Sequence, residues 1–247
     1  MENTSWFNTK AGVLEQGIVR TFPIRSADLS ENSEVFVRRD IFRRPISSTV
    51  LAISHTLNLS SDISDSSLIQ AILLSLNESK ASDLFIGGEV LYGSQLRSCE
   101  LNISSQEVVT LNSSWSSLSK TPAPAGLTDF DTSNPSFMLP SCDITIGDLI
   151  VNTVGISFSR DASPCEQKAG VFTRHALGNW AANISLSSEI GIPKQGSINV
   201  VLNLGTAKVT VTGDYILAEY SDNKSEGKES YSGSGELYNW KVTYETT

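Results

Sequence analysis

Few residues in this chain are of types that run a reaction by themselves. There are two histidines, His55 and His175, and three cysteines, Cys99, Cys142 and Cys165. An imidazole can remove a thiol proton and leave a nucleophilic thiolate, and His175 follows Cys165 by ten residues. Nearness in sequence does not set geometry, so no catalytic pair is expected there. His55 lies in an alternating stretch on the face of Ile53 and Leu57, which predicts a satisfied core residue. No G-x-S-x-G elbow, H-E-x-x-H pair or phosphate loop is present. Gly233-Ser234-Gly235 lacks the third glycine and the following helix of a dinucleotide turn. The expectation is a protein that is not an enzyme.

Metal chemistry finds no better footing. Asp129, Asp131 and Ser133 are spaced like the opening of a calcium loop, which needs glycine at its sixth position and a bidentate glutamate at its twelfth. Asn134 and Pro140 stand there instead. The cysteines are odd in number and far apart, with no C-x-x-C pair to hold zinc. Reduced thiols in a cytosolic setting, with no metal and no cofactor, are the expectation.

Two surface features carry more information. Seven N-x-S/T triplets occur, at Asn3, Asn58, Asn77, Asn102, Asn112, Asn183 and Asn223. Serine makes up about one residue in six and accounts for most of them; with no export signal visible, the expectation is that they carry no glycans. The other feature is a basic cluster. Arg20, Arg25, Arg38, Arg39, Arg43 and Arg44 fall within the first fifty residues of a chain whose net charge is −9. A guanidinium fork suits phosphates and carboxylates alike. RNA, an acidic surface on a neighbouring subunit, and local pairing to Asp40 and Glu34 remain open as partners. A chain this acidic is not a general nucleic-acid binder.

The elements that must position these residues read as β throughout. Period-two alternation places successive side chains on opposite faces of a sheet. It runs through Leu51, Ile53, Leu57 and Leu59; Cys99, Leu101 and Ile103; and Cys142, Ile144 and Ile146. It resumes in Val154, Ile156 and Phe158, then in Ile198, Val200, Leu202 and Leu204. Tyr238, Trp240, Val242 and Tyr244 complete the set on one expected face. Glycines punctuate these runs where a chain would turn. Leu68 to Leu76 is a nearly continuous apolar run after Ser64, Asp65 and Ser66, and stays open between a short helix and a buried strand. Three stretches are expected to be irregular: the arm 1–45, the Pro/Ser-rich 113–140, and a mobile excursion at 221–235. No apolar stretch approaches the roughly 20 residues of a membrane helix. The domain reading is an N-terminal arm, 1–45, and one β domain, 46–247.

The segment FPIRSADLSENSEVFVRRDIF at 22–42, the strand STVLAISHTLNLS at 48–60 and the apolar run LIQAILLSLN at 68–77 follow one another, with alternating strands and Pro/Ser loops after them. This order of features resembles a jelly-roll capsid protein of the plant picorna-like viruses, the comovirus, nepovirus and cheravirus group. The resemblance implies an antiparallel eight-stranded jelly-roll β-sandwich, cut from a polyprotein, whose copies close into an icosahedral shell around an RNA genome. It also implies sister capsid subunits as partners and the virion, with the host cytoplasm during assembly, as location. This chain departs from some plant capsids in lacking a strongly basic RNA-binding arm, which leaves the arginine cluster as the candidate for weak RNA or inter-subunit contact. The alternative is a secreted or surface β-sandwich module for carbohydrate or a receptor, with Trp115, Trp180 or Tyr92 as stacking platforms.

Overall fold

The computed structural model describes residues 11–39, 43, 45–63, 67–104, 109–124, 130–131, 141–146, 149–151, 153–169, 171–189, 191–204, 207–225 and 228–246. Within these, the side chains of 34–39, 45–52, 130–131, 141–142, 149–150, 224–225 and 228 are not described. The chain opens with β1 (Ala11–Glu15), β2 (Ile18–Phe22), β3 (Ser26–Arg39) and β4 (Pro45–Asp62). The helix α1 (Ser67–Glu78) precedes β5 (Ser82–Ile86), β6 (Glu89–Ser104), β7 (Thr110–Ser117), β8 (Ser119–Pro122) and β9 (Phe130–Asp131). Next come β10 (Ser141–Ile146), β11 (Leu149–Ile150), β12 (Thr153–Ser159), β13 (Ala162–Lys168) and β14 (Val171–Leu177). The chain ends with β15 (Ala181–Ser188), β16 (Gln195–Asn203), β17 (Ala207–Ser225) and β18 (Lys228–Thr246).

The fold is all-β and antiparallel, in keeping with a β-sandwich; the single parallel pair among the described strands is β2 with β9. Hydrogen-bonded neighbours run β11-β10-β16-β17-β18-β15-β12-β6 and continue through β7 and β4 to β3. The long β6 belongs to two sheets. Its residues Glu89 to Ser94 pair with β5, which leads on to β1, β2 and β9, while Ser98 to Ser104 pair with β12. Near the end of the first half stands Gly93 at φ 59, its N–H donating to Asp83 Oδ1 at 2.8 Å. A side chain at this position would meet Leu118 as well as the left-handed backbone. Eighteen strand segments are described, sixteen of them joined in one set of ladders and β13 and β14 in a separate pair.

One face of the large sheet is apolar and meets α1. Ile103, Val154, Ile156, Phe158, Val200 and Val211 are each at most 1% exposed, and each such burial contributes roughly 1.5–3 kcal/mol. The apolar run that periodicity left open is the helix, and it buries Leu68, Ile69, Ala71, Ile72, Leu73 and Leu76. It ends at Ser79, whose left-handed φ of 54 closes the last turn, with Ser79 N–H donating to Ser75 O and Lys80 N–H to Leu74 O. The opposite face is made of small polar groups, including Asn58, Asn102, Ser157, Asn183 and Ser185, with Glu100 and Glu236 among them. The triplet asparagines Asn58, Asn102 and Asn183 therefore face solvent from within strands, while Asn77 donates its amide to Val242 O at 3.2 Å.

The three stretches expected as irregular differ from that expectation. Residues 11–39 of the arm hold β1, β2 and β3, with β1 paired between β2 and β5. Residues 113–122 lie in β7 and β8, and the rest of that stretch is outside the described residues except for 123–124 and β9. The 221–235 excursion is a ladder that runs to Ser225 opposite Lys228. Gly233 and Gly235 reflect close approach, since a methyl on Gly235 would overlap the Ile216 carbonyl. The last strand also breaks its alternation. Asn239, at φ 51, is an extra residue in the ladder opposite Gly213, so Leu237 is buried while Tyr238 is 41% exposed. Trp240 then turns inward, 4.8 Å from the Phe158 ring.

Candidate functional site: the projecting ribbon and its root

Among the described strands β3 is paired on one side only, with β4, from Ser26 opposite Ser60 to Arg39 opposite Pro45. β4 is in turn flanked by β7 only from His55 to Asp62. Residues 32–39 and 45–54 therefore form a two-stranded ribbon with no third strand among those described, about 25 Å long at the usual rise per residue. Ile53, where it joins the sheet, is 41% exposed. The sequence of the ribbon holds Val35, Phe36, Val37, Ile46, Val50 and Leu51.

The root of the ribbon is polar and buried. His55 is 6% exposed, opposite Glu31 on β3 and Ser117 on β7. Its Nδ1 is buried without a hydrogen-bond partner; Glu31 Oε1, at 3.7 Å, is beyond hydrogen-bonding reach. Glu31 instead meets Lys120 Nζ of β8 at 2.5 Å, and the same ammonium lies 3.4 Å from Glu89 of β6. The hydrogen bond and charge of Lys120 lower the Glu31 carboxyl below its ordinary value. Burial lowers the His55 pKa, so that the imidazole is neutral near pH 7. His55 is thus buried as expected, but not satisfied.

Of the six arginines, side chains are described for Arg20, Arg25 and Arg43. Arg20 pairs with Glu15 at 3.1 Å and Arg25 with Asp62 at 2.5 Å, both with half-exposed side chains. Arg38 and Arg39 belong to β3 near the ribbon's end, and their side chains are not described. Arg43 is exposed with φ 62, while Arg44 and the proposed local partner Asp40 lie outside the described residues. Arg20 lies in β2, Arg25 just before β3, Arg38 and Arg39 in β3, and Arg43 between β3 and β4.

The structure separates the other candidates. β13 and β14 form a hairpin in which Cys165 is opposite Arg174 and His175 opposite Pro164. Neighbouring positions of a strand face opposite ways, so the thiol and the imidazole lie on different faces. His175 meets Ser116 Oγ at 3.2 Å, and burial lowers its pKa to about 4. Burial raises the Cys99 thiol to about 12, which keeps it protonated and inert. Among the described residues no group of His, Cys, Asp and Glu is arranged to hold a metal ion, and Asp129, Ser133, Asn134 and Pro140 lie outside them, with only the backbone of Asp131 described. Trp115 is fully buried and donates to Ser113 Oγ at 3.1 Å, so it offers no stacking platform.

One buried group escaped the sequence reading altogether. Arg160, 7% exposed, follows β12 and reaches across to the end of α1. Its Nε donates to Leu96 O at 3.0 Å, Nη1 to Ser79 Oγ at 2.9 Å, and Nη2 to Ser75 Oγ at 3.1 Å and Gln95 Oε1 at 2.8 Å. The Trp180 ring lies 4.3 Å from its guanidinium carbon. The partners are neutral, and the carbonyl end of α1 supplies the negative potential. No helix among the described residues is long and apolar enough to cross a membrane. Compared with the models of known protein families and with curated proteins, the chain matches none.

Proposed function

We propose that this chain is a structural subunit, many copies of which assemble, with or without sister subunits, into a capsid-type protein shell. The observation that supports this reading is the unflanked β3–β4 ribbon. A two-stranded hairpin alone is marginally stable in water, and an unpaired strand edge is a template for another chain. Over its 14 residues β3 has neither the prolines nor the lysines that commonly protect an edge. A ribbon rich in valine, isoleucine and phenylalanine gains burial when a neighbouring copy covers it. An eight-stranded jelly roll and an icosahedral lattice belong to the resemblance and are the finer form of the proposal; the assembly role rests on the ribbon and requires neither. RNA contact in such a shell falls to Arg38, Arg39 and Arg43 at the ribbon's end and to Arg44, next in the sequence, because a net charge of −9 leaves little else to attract phosphate. The alternative, a carbohydrate or receptor module, has lost Trp115 to the core, while Trp180 is engaged with Arg160.

Electron microscopy and sedimentation of the purified chain, alone and co-expressed with any neighbouring capsid genes, test the proposal. Large closed particles are expected, with nuclease-protected RNA inside. A variant in which a two-residue turn replaces 34–52 should fold and remain small. A chain that stays monomeric in every combination would overturn the reading, as would full assembly without the ribbon.

A further inference from the structure

We propose that His55, with the Glu31–Lys120–Glu89 chain of ion pairs, is a proton-operated latch at the root of the β3–β4 ribbon, closed while the imidazole is neutral and opened when it takes up a proton. His55 is the outermost β4 residue held between two strands; beyond it, β3 is the one partner of β4 among the described strands. What happens at His55 therefore decides whether the ribbon continues the sheet or hinges from it.

The site holds a neutral imidazole and resists a charged one. Nδ1 has no hydrogen-bond partner, and a buried charge without one is costly. The groups around it explain why protonation forces a rearrangement. Glu31 on β3 is the nearest carboxylate but is engaged by Lys120 of β8, whose ammonium also repels an imidazolium. Glu89 of β6 meets the same Lys120. β7 contributes only hydroxyls beside it, with Ser117 bonded to Ser94 Oγ at 2.7 Å. β14, packed against β4, commits His175 to Ser116 and Arg174 to Glu166. Two outcomes remain for His55 once protonated: it draws Glu31 away from Lys120, or it swings out to water. Either one loosens the junction of β3, β4, β7 and β8.

The sign follows from burial. The folded state holds His55 at a lowered pKa, so the latch is fully closed above the unfolded value of about 6.5 and opens as the pH falls below it. The latch is a property of the single chain and stands or falls independently of assembly.

Hydrogen exchange, expressed as protection factors so that the intrinsic pH dependence cancels, reads the latch directly. Between pH 7.5 and 5, residues 28–34 and 52–58 should lose protection several-fold, while β16 and β17 keep theirs. His55→Gln should abolish that response. Lys120→Met should blunt it, because the freed Glu31 can pair with the imidazolium. Unchanged protection in the wild type, or the same loss in His55→Gln, would overturn the proposal. If His55→Gln fails to fold, the wild-type imidazole can be followed by NMR: its titration must coincide with the change at the root amides, and titration without that change would overturn it equally.

Discussion

Arg160 and His55 are both buried bases, 7% and 6% exposed, yet their surroundings differ in kind. Arg160 has four hydrogen bonds and an aromatic ring against it. His55 has a bare nitrogen and a carboxylate already taken by a lysine. A fully matched polar group ties elements together, whereas a half-matched one makes its neighbourhood responsive to protons. Arg160 fastens α1, β6 and the start of β13; His55 sits where the sheet gives way to the ribbon.

Removing the matched group should have the largest effect. Arg160→Ala strands acceptors on Ser75, Ser79, Gln95 and Leu96 and leaves a void beneath Trp180. The expected loss is on the order of 3–4 kcal/mol, read as a lower urea midpoint at unchanged slope. Lysine should restore little, since one ammonium cannot span a fork of four acceptors. A loss below about 1 kcal/mol would mean that water takes the place of the guanidinium, and the contrast with His55 would collapse.

Acid should expose the second half of the comparison. Both histidines have folded pKa values below the ordinary value, so the unfolded chain binds protons first. Stability is complete above about pH 6.5 and declines below it, for His175 down to about 4. Urea midpoints at pH 7.5, 6 and 5 should fall in sequence, and His55→Gln and His175→Gln should each remove part of the fall. Stability that holds level or rises from pH 7.5 to 5 would contradict a buried neutral imidazole at either place.

Lys120→Met should matter less at neutral pH. Glu31 is half exposed and Lys120 a quarter exposed, so solvent screens the pair and about 0.5 kcal/mol is expected. The same variant should weaken the acid response, which ties the lysine to His55. A large neutral-pH loss would place Lys120 with the matched group, not the responsive one.

This difference between the two bases was not visible in sequence, and the reason is physical. The four partners of Arg160 lie 64 to 85 positions away along the chain, so no local pattern signals them. Alternation found the strands that have one wet and one dry face, such as Val154, Ile156 and Phe158. It passed over β3 and the distal β17–β18 ladder, where Asp28, Ser30 and Asn32, or Ser221 to Ser225, give no apolar period to follow. It left α1 undecided, because a helix buried on most of its surface has little amphipathic period left to detect. The bulge at Asn239 defeated it outright, since one inserted residue sends Tyr238 to the face opposite Trp240. The basic cluster was legible as composition, but the pairing of Arg20 with Glu15 and Arg25 with Asp62 depends on strand register.

The smallest effects belong to those exposed arginines, and they show that burial, not charge, separates Arg160 from the rest. Arg20→Ala and Arg25→Ala each break an ion pair whose arginine is about half in water. Each should change stability by no more than about 0.5 kcal/mol, and less in high salt. Their value lies in a second readout. In assembled particles, a side chain that only pairs locally can be removed without changing the amount of nuclease-protected RNA. Normal folding with a marked drop in protected RNA would instead give Arg20 or Arg25 a phosphate partner inside the shell and move the RNA contact away from the ribbon's end.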